Sequence, residues 1–220
     1  MLEFITFLLD WSEVWAILIP AAILIRRKQP EKLAPVVFYV WMALFINVAI
    51  DVTWKLRTVL PASYNSNNYL YNLHSVVRFF LFAIFFIRLE QPFLAYIKKA
   101  LMVIYALFLI VNFGFFERFF NYWQFSNRLL SVEAVLLLFY VLQYYLFKIG
   151  EGMEVFSYNS DFWIVTGLGV YVSINFFIFL LYHELTVRMQ HFAINLWNVH
   201  NITFIIFNLF LAKGFNESRE

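Results

Sequence analysis

Arg78 lies inside the run YLYNLHSVVRFFLFAIFFIRL (residues 69–89), one helical turn beyond His74 and Ser75. At about 1.5 Å per residue, its side chain starts roughly 13 Å below the Tyr69 end, too deep to reach that interface without strain. An arginine at this depth costs at least ~2.5–3.5 kcal/mol on insertion scales, and such residues face a bundle interior with a partner. Glu133 and Asp51 are the candidate counter-ions, and His74, Asn47, Asn175, Asn195 and Asn198 are candidates for orienting hydrogen bonds. A guanidinium in such a setting suits a carboxylate or phosphate. A small anionic ligand displacing the internal acid is therefore one expectation, and a purely structural ion pair is the other.

Other chemistries find less support. The chain has no cysteine, so disulfides, thiolate metal sites and thiol nucleophiles are excluded. A retinal Schiff base needs a lysine midway along the last helix, and the candidate there, Lys213, sits at its end. His183, His191 and His200 are not paired at i, i+4, which argues against a membrane zinc hydrolase, and no cofactor is expected. No GxSxG, HExxH or phosphate-cradling glycine loop occurs. A net charge of +2 with dispersed basic residues gives no footprint for nucleic acid.

The residues named above need a scaffold. Of 220 residues 63% are hydrophobic and 22% aromatic, an excess over the 45–50% apolar content typical of soluble domains, so the surplus must face a lipid bilayer. Seven apolar segments of bilayer length can be drawn: Phe4–Ile25, Val36–Trp54, Tyr69–Ile87, Ala100–Phe116, Leu129–Phe147, Phe162–Tyr182 and Phe192–Ala212. The expected fold is an all-α, seven-transmembrane helix bundle forming a single domain over residues 1–220. Acidic Glu3, Asp10 and Glu13 near the start argue against a cleavable signal. Ten basic residues, among them Arg26, Arg27, Lys28, Lys98 and Lys99, fall in one set of connections, against five in the other. The positive-inside rule then puts the N-terminus outside and the C-terminus in the cytoplasm.

With that orientation, polar groups gather in the outer half. Thr6, Asp10 and Glu13 share a face of the first helix; Asn47 and Asp51 lie on the second; Tyr71, His74, Ser75 and Arg78 on the third. Glu133 lies near the outer end of the fifth, Tyr171 and Asn175 on the sixth. His191, Asn195 and Asn198 form the expected inward stripe of the seventh, which directs His200 to the opposite, packing side. Thr166, Gly167 and Gly169 should let another helix approach the sixth closely, and Ser160 or Asp161 is available to cap it.

Three stretches, YNLHSVVRFFLFAIFF, DFWIVTGLGVYVSINFFIFLL and LWNVHNITFIIFNLFLAKGF, together resemble a group of small seven-helix membrane proteins of Bacteroidota that look like detached sensor modules. The resemblance covers about half of the chain. It implies a multi-pass protein of a bacterial inner membrane with a sensory or accessory role. That group is expected to carry an acid where Arg78 stands, so this chain departs there. The expected function is a non-enzymatic sensor or receptor-like module with a polar pocket open to the periplasm, signalling through a membrane or cytoplasmic partner. The alternatives are a structural or assembly subunit of a membrane complex, or a small transporter or channel.

Overall fold

Apolar runs bounded by polar, proline-bearing turns fold here as helices, because a backbone surrounded by hydrocarbon must satisfy its own hydrogen bonds. The computed structural model describes residues 7–61, 66–121, 124–150 and 159–218, and within these not the side chains of His183 and Gln190. Thr6, the middle of PASYNSNN and most of KIGEGMEVFSYNSD lie outside the described residues. The helices are α1 Ser12–Arg26, α2 Ala34–Lys55, α3 Asn68–Arg88, α4 Ala95–Val111, α5 Asn127–Gly150, α6 Ser160–Arg188 and α7 Gln190–Glu217. No strand occurs among the described residues.

Six of these helices, α2 to α7, are long and apolar enough to cross a membrane, as in a multi-pass membrane protein. The first segment differs from its expected span. A break at Trp11 (φ −103°, ψ 4°) separates a short helical turn at 7–10 from α1, which is only 15 residues long and runs on through Pro20. The fourth segment is displaced too: α4 begins at Ala95 and passes into a π-turn over Asn112–Phe116. α6 and α7 extend beyond the expected spans, to Arg188 and Glu217.

α6 and α7 form the most extensive helix pair, followed by α5 with α6 and α1 with α7. Contacts of α1 with α2, α2 with α3 and α3 with α5 complete a ring of six helices, and α4 leans on its outside against α3 and α5. The α6–α7 approach is close because Gly167 lies against Phe207 and Phe210, and Gly214 against Ile164 and the Ser160 carbonyl. Gly169 gives the same freedom to α5, where a Cβ would stand 3.0 Å from Val141 Cγ1. Thr166 hydrogen-bonds the Phe162 carbonyl and the Tyr145 hydroxyl, both at 2.6 Å. The cap residue of α6 is Asn159, which makes no side-chain cap bond, and Asp161 instead pairs with Lys32 at 2.9 Å.

The two ends of the ring differ. One end, where α1 passes to α2, α5 stops, α6 starts and α7 finishes, is stapled by polar cross-links. Arg27 Nη1 donates to the Asn216 carbonyl (2.7 Å), Arg88 Nη1 to the Glu31 carbonyl (3.0 Å) and Ser218 Oγ to Gln29 Oε1 (2.6 Å). Above that end the ring is filled by aromatic side chains: Tyr39, Phe82, Phe207 and Tyr171 stack or meet edge-on, and all four are buried. The other end opens into a vestibule.

Candidate functional site

α3 places Ser75 and Arg78 on one face, i and i+3 apart, toward α5. Arg78 Nε donates to Glu133 Oε1 at 2.5 Å and Nη2 to Oε2 at 2.7 Å, a bidentate pair. Ser75 Oγ donates to the same carboxylate at 2.5 Å, and Arg78 Nη1 reaches the Tyr171 hydroxyl at 2.8 Å. The side chains are 6% and 1% exposed, so the charges neutralise one another in the interior. The acid that meets Arg78 is thus Glu133. Asp51 is half-buried, one helix away from the pair, and lines the vestibule beside Lys55.

A second polar chain runs through α6, α7 and α1. Asn175 donates from Nδ2 to the Tyr171 carbonyl (2.8 Å) and to Thr203 Oγ1 (3.0 Å), so its Oδ1 faces His200 Nδ1 at 2.5 Å as an acceptor. Nδ1 must then carry the proton, which in the neutral ring leaves Nε2 as an acceptor. That Nε2 faces Glu13 Oε1 at 3.8 Å, beyond hydrogen-bond reach. Asn47 Nδ2 donates to the Glu13 carbonyl at 2.7 Å, tying α2 to α1. His74 stacks on Tyr39 with ring centres 6.0 Å apart, its Nε2 3.5 Å from the hydroxyl.

These two chains enclose a chamber of about 20 Å³, lined among others by Glu13, Asn47, His74, Arg78, Tyr171 and His200. Such a volume holds about one water. The wider vestibule, about 650 Å³, is lined by Asp10, Trp11, Asp51, Lys55, Asn198 and Asn201 among others. Glu13, Tyr71 and Trp197 line both spaces and stand where they meet.

No known protein family, curated protein or solved structure matches this chain.

Of the residues expected at the site, Arg78, His74, Asn47 and Glu133 come together or border the chamber, with Asn175 one hydrogen bond behind it. Asp51 and Asn198 line the vestibule instead. Asn195 is exposed, as is His191, so the expected inward stripe of α7 is corrected: the buried face carries His200, Phe204, Phe207, Leu211 and Phe215. His200 is a central member of the polar chain, contrary to its expected packing role. In a membrane helix an apolar face can bury as readily as a polar one, because lipid and protein interior are alike apolar. The repeat of those five residues at helical spacing is the signal that marks the face. Tyr39 and Trp197 were not foreseen either; an aromatic residue in an aromatic-rich chain carries little information alone.

Proposed function

We propose that this chain is a non-enzymatic, receptor-like seven-helix module of a bacterial inner membrane. In this reading α1 is the seventh span, the vestibule faces the periplasm and the stapled end faces the cytoplasm, where a partner protein receives the signal. The observation that supports it most is the gradient along the bundle axis: an open vestibule narrows to a water-sized chamber and stops on the Arg78–Glu133 pair and an aromatic layer. A cavity closed at one end suits binding better than passage. The resemblance to sensor-like proteins of Bacteroidota agrees with this.

A ligand that separates the walls of the vestibule would shift α1, α2 and α7 relative to the Arg78–Glu133 pair, and so bias two packings of the ring. The small anion expected from Arg78 is less suited than it first appears. The guanidinium already has Glu133 and Tyr171 on its donors, and an incoming anion would have to strip a carboxylate that is 1% exposed.

A chain free of cysteine makes the test direct. Single cysteines replace Asn198 in the vestibule and the buried Asn208, next to Phe207 of the aromatic layer, and a membrane-impermeant maleimide is applied to sealed vesicles of each sidedness. The receptor reading expects Asn198→Cys to label from the periplasmic side alone and Asn208→Cys from neither. Labelling of both from one side would mean a wet path through the ring, and a channel or transporter would replace the receptor. The satisfied Arg78–Glu133–Ser75 cluster favours a second reading, an assembly subunit with polar glue, which a stable co-purifying complex would establish.

A further inference from the structure

Among the described residues, the buried side-chain polar atoms without a hydrogen bond around the vestibule are all acceptors. Glu13 Oε1, Asp51 Oδ2 and Asn201 Oδ1 are buried atoms with no hydrogen bond, and all three residues line the vestibule. Asn47 Oδ1, in the inner chamber, is a fourth. Glu13 is 8% exposed, Asn201 3% and Asn47 1%, so water in bulk does not satisfy them.

The two amides are not free to turn. Asn47 must give its NH2 to the Glu13 carbonyl, and Asn201 gives its own to the Leu9 carbonyl at 3.1 Å, which leaves the amide oxygens as the unpaired atoms. His200 Nε2 adds another acceptor toward Glu13 Oε1. Tyr71 is a hydrogen-bond neighbour of the same carboxylate. A space walled by unpaired acceptors wants a donor, and one walled by carboxylates wants a cation.

The walls also supply aromatic faces, from Trp11, Trp54, Tyr71 and Trp197. One of these faces already carries an ammonium group: Lys55 Nζ lies 3.1 Å from the ring centre of Trp11. Lys55 itself is exposed, and a cation desolvated against the same rings would gain more.

Taking the vestibule as the outward-facing site proposed above, we infer that its ligand carries a primary ammonium group, with the Glu13 carboxylate as counter-ion, the Asn201 and Asp51 oxygens as further acceptors and the tryptophan rings as walls. The group is the same whether it belongs to a free amine or to an aminophospholipid headgroup.

The test is calorimetric titration of the full chain in phosphatidylglycerol nanodiscs with n-propylammonium, tetramethylammonium and propionate. Saturable binding of n-propylammonium is expected, with weaker binding of tetramethylammonium, which has no N–H to donate, and none of propionate. Glu13→Gln should weaken it about tenfold or more, the scale of a charge-assisted hydrogen bond. Lys55→Met, which removes the competing tethered cation, should tighten it severalfold. If Glu13→Gln does not fold, Lys55→Met decides, and unchanged affinity there overturns the inference. Absence of saturable binding, or equal binding by folded Glu13→Gln, overturns it as well. In nanodiscs containing phosphatidylethanolamine, a right-shifted titration assigns the group to the headgroup and an unshifted one to a free amine. Should n-propylammonium fail while Asn198→Cys still labels from the periplasmic side alone, the ammonium inference falls and the receptor reading stands.

Discussion

Glu133 takes two of its three hydrogen bonds from one side of Arg78, through Nε and Nη2, and leaves Nη1 to Tyr171 on a different helix. The guanidinium thereby joins α3, α5 and α6 at one point. Removing either charge leaves the other buried alone, at a cost of about 3–5 kcal/mol. Arg78→Met and Glu133→Leu should each lower the melting temperature in detergent sharply. The paired Arg78→Met/Glu133→Leu variant should recover most of that loss. Strict additivity in the double-mutant cycle would mean the pair is not coupled.

Asn175 and Asn195 make a contrasting pair. Asn175 is 1% exposed and serves Tyr171, Thr203 and His200, whereas Asn195 faces outward. Truncating a buried amide orphans its partners, at about 1–3 kcal/mol. Thermal melts should therefore show Asn175→Ala well below the parent and Asn195→Ala indistinguishable from it.

The contrast shows where sequence reasoning reaches its limit. That Arg78 meets an acid was legible because a charge inside an apolar run has to find an opposite charge, but Glu133 and Asp51 were equal candidates for it. Six membrane-length helices were legible for a similar reason, since length and hydropathy decide them, whereas the break of the first segment at Trp11 was not. The inward face of α7 was not: His191, Asn195 and Asn198 make a clean polar stripe, yet the face that packs is the apolar one ending in His200. Polarity sorts inside from outside in water, and does so poorly where both sides are apolar. Likewise, nothing in the order of residues reveals that Glu133 meets Arg78 while Asp51 lines the vestibule.

Glycine positions offer a packing test. An alanine Cβ at position 214 would stand 2.7 Å from Ile164 Cγ1 and 3.0 Å from the Ser160 carbonyl oxygen, which is backbone and cannot swing aside. At position 114 it would meet nothing within 4 Å. Gly214→Ala should lose about 1–3 kcal/mol by overpacking, with Gly114→Ala clearly milder in the same unfolding assay.

Topology is open to a reporter experiment. With the basic connections inside, a green fluorescent protein fused after Ser218 should fluoresce, and alkaline phosphatase at the same point should be inactive. The reverse result would invert the bundle and place the vestibule in the cytoplasm.

α4 stands apart from the ring, with 11% of its span buried, and its outer surface of Val103, Ile104, Leu107 and Ile110 is exposed. Tyr105, packed on Phe79, and the hydrogen bond from Tyr140 to the Lys98 carbonyl hold its inner face, while the surrounding hydrocarbon acts on the rest. Where a bilayer is thinner than the helix is long, α4 tilts to hide its ends, at fractions of a kcal/mol per ångström, while the glycine-locked α6–α7 pair holds its place. The ring is thus a rigid frame with one thickness-sensitive strut, and a change of lipid would be felt first along α3 and α5, the helices that carry Arg78 and Glu133.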